Sequence, residues 1–186
     1  MKKKSEEGFI VEFNDLIKVR RSVRSYVEGD LIPNEDVTKI VEAALLAPSW
    51  KNSETARYYI ANTPESLEKL NEALPSFNQS NSKGAALVVT TFVKDVSGFA
   101  AGTAENELGN KWGAYDLGLS NAYFILAAKN LGYDTLIMGI RDAAAIRQIF
   151  GIPKTEQIAS VLALGKGTAD GVLRPRKDVN DVATFL

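Results

Sequence analysis

The stretch Arg20-Arg21-Ser22-Val23-Arg24 is the most informative part of this sequence, and the rest of the chain is interpreted from it. It places three guanidinium groups and one hydroxyl within five residues, directly after an apolar helical turn at residues 13–19. Guanidinium is the side chain best suited to bidentate recognition of phosphate, and a serine hydroxyl supplies a further donor. The stretch therefore predicts an anion site, although a solvated basic turn without a ligand is an open alternative.

The spacing of the basic stretch sharpens this prediction. Residues at i, i+2 and i+4 of an extended segment point in the same direction. Arg20, Ser22 and Arg24 would then converge on one anion, while Arg21 and Val23 would face elsewhere.

Composition limits the classes of function. The 186 residues have a formal net charge of −1, which argues against a general nucleic-acid binder. No apolar run is long enough to span a bilayer, and no signal-peptide core follows Met1-Lys2-Lys3-Lys4. We expect a soluble, cytoplasmic protein without a nucleic-acid or membrane partner.

The chain contains neither Cys nor His. Thiolate nucleophiles, imidazole bases and nearly every zinc site are therefore excluded, and no metal site is predicted. If the protein is an enzyme, a cofactor that carries the reactive chemistry fits such a chain well.

Hydrophobic periodicity predicts alternating helices and strands. Residues 1–12 are expected to form a mobile arm, and residues 13–186 a single domain with a C-terminal tail. Helices are predicted from an Asn14 cap into the basic stretch and over residues 34–47, 63–74, 112–131 and 142–150. Strands are predicted over residues 57–60, 85–93, 134–138 and 158–164. Residues 97–111 are expected to form an irregular, partly helical excursion. This order predicts an α+β or layered α/β fold with helices on both faces of a sheet.

Several motifs together resemble the nitroreductase family. They are the basic stretch, the loop Ala47-Pro48-Ser49-Trp50-Lys51-Asn52-Ser53, Trp112-x-x-Tyr115-Asp116-x-Gly118 leading into Leu126-Ala127-Ala128-x-x-Leu131-Gly132, Met138-Gly139, and Arg174-Pro175-Arg176-Lys177. The resemblance implies an FMN-dependent enzyme with a mostly antiparallel central sheet and an intertwined homodimer. It also implies that NAD(P)H reduces the flavin, which then reduces a small acceptor such as a nitroaromatic or quinone by a ping-pong mechanism.

The resemblance further implies a role for each matching residue. Arg20, Arg21 and Ser22 would hold the FMN phosphate together with Arg176 or Lys177. Arg24 would lie near the pyrimidine edge of the flavin, and Met138 and Gly139 beside the ring, where a backbone amide reaches N5. Pro48, Ser49 and Asn52 would come from the partner subunit. No side chain is implied as catalytic, because the flavin carries the chemistry.

The sequence departs from the family in the loop, where Asn52-Ser53-Glu54-Thr55-Ala56 replaces the Asn-x-Gln-Pro-Trp of many members. A carboxylate at residue 54 cannot donate as an amide does. A low-turnover flavin carrier or sensor, and a flavoenzyme of the same fold with other chemistry such as reductive dehalogenation, are therefore open alternatives.

Overall fold

The computed structural model describes residues 12–186, so the predicted arm lies outside the described residues except for Glu12. The helices are α1 Phe13–Val19, α2 Asn34–Leu45, α3 Pro64–Glu72, α4 Ser76–Ser82, α5 Lys111–Asn130 and α6 Ala143–Phe150. The strands are β1 Ala56–Ala61, β2 Ala86–Val93, β3 Phe99–Ala100, β4 Thr103–Ala104, β5 Asp134–Met138 and β6 Glu156–Gly165. Single 3₁₀ turns occur at Trp50–Asn52 and Val179–Asp181.

The main sheet has the strand order β1-β2-β6-β5, and every neighbouring pair is antiparallel. Strand β2 is internal and almost fully buried, as its uninterrupted run of β-branched and apolar residues predicts. The side chains of alternate β2 residues pack in two separate hydrophobic cores. Leu87 and Val89 pack in the core that contains residues of α3 and α6, whereas Ala86 and Val88 pack in the core that contains residues of α2 and α5. The α+β class with helices on both faces of the sheet is thereby confirmed.

Local capping chemistry marks several helix boundaries. Thr63 forms a capping box with Ser66 at the start of α3, and the Asp142 carboxylate accepts two backbone N–H groups at the start of α6. Gly132, with a φ of 88°, follows the C-terminus of α5 as predicted.

Two local predictions were wrong, and one helix was not predicted. Asn14 does not cap α1, because the helix begins one residue earlier and Glu12 occupies the N-cap without a side-chain bond. Residues 97–111 contain the short hairpin β3–β4 and no helix until α5 begins at Lys111. Helix α4 was not predicted, since its sequence is polar and lacks an apolar period.

Candidate functional site

The basic stretch extends the main sheet beyond β5. Ser22 pairs in parallel with Thr135, and the Val23 N–H donates to the Thr135 carbonyl at 3.1 Å. The Tyr26 hydroxyl, which is buried, donates to the Val23 carbonyl at 3.0 Å. Extended pairing at this edge explains why Val23 is buried, whereas Arg24 is exposed.

The start of the C-terminal tail packs directly on the basic stretch. The Val27 N–H donates to the Lys166 carbonyl at 2.9 Å, and the Thr168 N–H donates to the Ser25 carbonyl at 3.1 Å. A Cβ atom placed on Gly171 would lie 2.3 Å from the Arg21 Cβ and 2.8 Å from the Ser22 carbonyl oxygen. Only glycine permits this approach, so the tail and the basic stretch form one surface.

Several positively charged side chains belong to that surface. Burial, followed by the charges of Arg21 and Arg176, lowers the pKa of Arg20. The charge of Arg176 therefore acts on Arg20 although the two residues are far apart in sequence. Among residues 12–186, no carboxylate forms an ion pair with any of these three arginines. An arginine keeps its charge at any accessible pH, so this concentration of positive charge suits a phosphate dianion.

Three further predicted phosphate or flavin ligands lie on or next to this surface. Ser22 is half-buried, and Arg24 Nη1 lies 3.3 Å from the Ser22 carbonyl oxygen. Lys177 is exposed and follows Arg176 directly. A neighbouring cavity of about 320 Å³ is lined by side chains of both signs: Lys18, Arg21, Lys129, Asp134 and Asp170.

The loop between α2 and β1 has a constrained backbone. Lys51, Asn52 and Glu54 have φ values of 49°, 54° and 48°, in the left-handed region that residues other than glycine seldom adopt. Such residues cost free energy and persist where surrounding contacts fix them, which is common at functional sites.

The contacts that fix this loop come from polar side chains. The buried Asp116 carboxylate of α5 accepts the Trp50 N–H at 3.0 Å and the Ser97 hydroxyl. The Asn52 amide donates to the Glu54 carboxylate at 2.7 Å, and the Glu54 N–H donates to Ser49 Oγ at 3.0 Å. The carboxylate at residue 54 thus holds Asn52, leaving the Asn52 side-chain oxygen as an acceptor.

Sequence reasoning did not identify Asp116 as the residue that anchors this loop. Its partners Trp50 and Ser97 are distant in sequence, so spacing gave no signal for the contact. The departure from the family motif at Glu54 gives no indication that its carboxylate binds the Asn52 amide.

Within one chain the two halves of the predicted site do not meet. The basic stretch pairs outside β5 near Thr135, which is opposite Leu164 in β6, whereas the loop enters β1 at Ala56. Ala56 lies opposite Phe92, and Phe92 lies opposite Gln157 at the other end of β6. From strand spacing and residue rise, these opposite corners of the sheet are about 25–30 Å apart.

Met138 and Gly139 lie at the end of β5. The Met138 side chain is 2% exposed and belongs to the core shared with α6, so it is not presented to a ligand. Gly139 is exposed, and a Cβ atom there would meet nothing within 4 Å. Any contact that this pair makes with a ring must therefore come from the backbone.

Comparisons with known proteins agree with this architecture. Residues 17–166 match the model of the nitroreductase family. The chain is 29% identical over 205 residues to YdgI of Bacillus subtilis, named as an NAD(P)H nitroreductase, covering 94% of this chain and 97% of that one.

Solved structures share the fold. A protein from Exiguobacterium sibiricum, a nitroreductase by name and crystallised in complex with FMN, superposes with a TM-score of 0.84 at 26% identity, covering 95% of this chain and 98% of that one. A protein from Staphylococcus epidermidis, named as an NAD(P)H:FMN oxidoreductase, gives the same TM-score of 0.84 at 24% identity, covering 95% of this chain and 97% of that one, and supports the fold alone. The nitroreductase-like fold expected from the sequence motifs is confirmed, and the chain belongs to the nitroreductase family of oxidoreductases.

Proposed function

We propose that this protein is an FMN-dependent oxidoreductase that uses NAD(P)H to reduce a small acceptor. The observation that carries the proposal is the group of Arg20, Arg21 and Arg176, none of which forms an ion pair with a carboxylate among residues 12–186. When bound, FMN supplies the two-electron chemistry, taking hydride from NAD(P)H and passing electrons to a second substrate.

The residues around this cluster have distinct roles in the proposal. Arg20, Arg21 and Ser22, with Arg176 or Lys177 from the tail, bind the phosphate of FMN through charge-assisted hydrogen bonds. Arg24 supplies positive charge at the pyrimidine edge of the ring, where reduction increases electron density. Gly139 presents its backbone to the ring, and Met138 supports that backbone from the core.

The proposed site is completed by a second copy of the chain. Pro48, Ser49 and Asn52 lie at the corner of the sheet opposite the basic stretch, so they reach FMN only when the loop comes from a partner subunit. Large apolar side chains are exposed on α1, on α5 and in the tail, as expected of an interface. They include Phe13, Ile17, Tyr115, Tyr123, Val172, Leu173, Val179, Val182 and Phe185.

The acceptor proposed is a nitroaromatic or a quinone, used in a ping-pong cycle. No imidazole or thiol is present to act as acid, base or nucleophile. The chain's own contribution is therefore to bind, orient and electrostatically favour the reactants. Initial rates at several acceptor concentrations should give parallel lines in double-reciprocal plots against NAD(P)H.

Mixed dimers test the shared site directly. Arg20→Ala and Asn52→Ala chains carrying different tags are co-expressed, and the heterodimer is isolated and titrated with FMN. A site built from two chains pairs the intact Arg20 of one subunit with the intact loop of the other. The heterodimer then has one site of wild-type affinity, and the other site carries both defects.

The outcomes separate the alternatives. If each site were built within one chain, both sites of the heterodimer would be weakened and no wild-type affinity would return. Tight FMN binding by a monomeric form would equally contradict the proposal. The two homodimeric variants, titrated in parallel, provide the reference affinities.

A further inference from the structure

The turn after β5 is held from one side by two side chains. Arg141 Nη1 donates to the Gly139 carbonyl at 2.8 Å, and the Asn78 amide donates to the Ile140 carbonyl at 2.8 Å. Asn78 lies on α4 and is 6% exposed. The carbonyls of Gly139 and Ile140 are therefore both fixed by side-chain donors.

Arg141 also connects this turn to the neighbouring strand. Its Nη2 donates to the Ile158 carbonyl of β6, and burial lowers the pKa of its guanidinium. Its Nε is buried and has no hydrogen-bond partner among residues 12–186. An unpartnered buried donor costs free energy, which makes a purely stabilising role a poor explanation of this arginine.

The opposite side of the turn is open. Among the described residues, no group accepts the N–H of Gly139 or of Ile140. The Ile140 side chain is 66% exposed. The Gly139 carbonyl and the Ile140 N–H belong to one trans peptide and point in opposite directions. Fixing that carbonyl therefore also fixes the direction of the Ile140 N–H.

We propose that Arg141 is a positioning residue that aims and polarises the Gly139–Ile140 peptide toward the flavin ring. The inference rests on the proposed FMN site. A charged donor on the carbonyl strengthens the N–H of the same peptide as a donor, and the nearby positive charge favours an electron-rich ring. Arg141 thereby raises the affinity for reduced FMN relative to oxidised FMN without touching the cofactor.

The test compares three FMN-loaded variants with the wild-type protein. Arg141→Met removes the charge and the hydrogen bonds of the side chain, whereas Arg141→Lys keeps the charge and loses the planar guanidinium group with its several donors. Arg147→Met is the matched control, because Arg147 is also half-buried and donates to the backbone carbonyls of Ile152 and Glu156, away from the turn. The midpoint potential of bound FMN is measured against a reference dye, and the Kd of oxidised FMN by fluorescence quenching.

Arg141→Met is expected to lower the ratio of reduced to oxidised FMN affinity about tenfold, which is about 30 mV for a two-electron couple. Arg141→Lys should lower it about threefold, and Arg147→Met should leave it within about twofold of wild type even if its Tm falls. An unchanged ratio in Arg141→Met overturns the inference. If that variant does not fold, an unchanged ratio in Arg141→Lys does so.

The same experiment separates this inference from the function on which it rests. Wild-type protein that binds no FMN contradicts the proposed function. If wild-type protein binds FMN and Arg141→Met leaves the affinity ratio unchanged, only the role of Arg141 is contradicted.

Discussion

Replacing Arg20 with alanine should separate ligand binding from folding. Arg20 is half-buried, and its pKa is lowered by burial and by the charges of Arg21 and Arg176. In the protein without FMN, the guanidinium is therefore held at a cost, because like charges repel. With phosphate present, the same guanidinium makes a charge-assisted contact.

The magnitude follows from these two effects. Loss of a hydrogen bond to a charged group costs roughly 1.5–3 kcal/mol, which corresponds to an FMN Kd about 10-fold to 150-fold higher. Loss of the repulsion between Arg20 and the neighbouring arginines, in contrast, stabilises the FMN-free protein. The free energy of unfolding of the FMN-free variant should therefore equal or exceed that of the wild type.

The assay is fluorescence titration of FMN with the apoprotein, paired with urea unfolding of each FMN-free protein. Lys69→Ala is the control, since it removes a positive charge that pairs at the surface with Glu65 on α3. FMN affinity should be unchanged in that variant. The reasoning about Arg20 is refuted if its removal leaves the FMN Kd unchanged, or if weaker binding is accompanied by an equal loss of stability.

Three further substitutions test other parts of the account. Arg24→Ala should mainly lower the midpoint potential of bound FMN, measured by dye equilibration, and an unaltered potential would remove Arg24 from that electronic role. Asp116→Ala should cost about 3 kcal/mol in urea unfolding and weaken FMN binding, because buried donors to its carboxylate lose their acceptor; FMN affinity equal to wild type in the folded variant would contradict its role in fixing the loop. Tyr133→Phe removes the 2.7 Å hydrogen bond that lowers the pKa of Asp36. A carboxylate with a lowered pKa stabilises the fold above its unfolded pKa and loses that contribution as the pH falls through its folded pKa. Because Asp36 lies near the surface, where solvent screens its interactions, the variant should cost about 1 kcal/mol or less at pH 7 and still less near pH 3. An equal cost at both pH values would be inconsistent with this linkage.

The fold was predictable where local chemistry determines structure. The apolar sequence of β2 and the capping residues Thr63 and Asp142 act within a few residues of their own position, and the structure confirms them. The cap assigned to Asn14 failed because the helix begins before that residue. Helix α4 was missed because no apolar period marks its polar sequence.

The sequence predicted which residues belong to the candidate site, but not the contacts that hold them in place. The sequence motifs identified both Arg20 and Arg176, and the charge of Arg176 adds to burial and to the charge of Arg21 in lowering the pKa of Arg20. Sequence spacing gave no means of predicting that Asp116 anchors the loop, or that Arg141 holds the carbonyl of Gly139 and reaches β6. These contacts depend on strand order and register, which join distant parts of the chain. Opposite placement of the loop and the basic stretch on the sheet follows from the same strand order.

The most direct test of the central claim is an absorption spectrum of the purified protein after incubation with FMN, recorded anaerobically before and after addition of NADPH and, separately, NADH. The account predicts a flavin spectrum that bleaches rapidly with at least one of the two nicotinamides and returns when a quinone or nitroaromatic is added. A bound flavin that stays oxidised with both would favour a carrier or sensor. A protein that takes up no FMN would contradict the account itself.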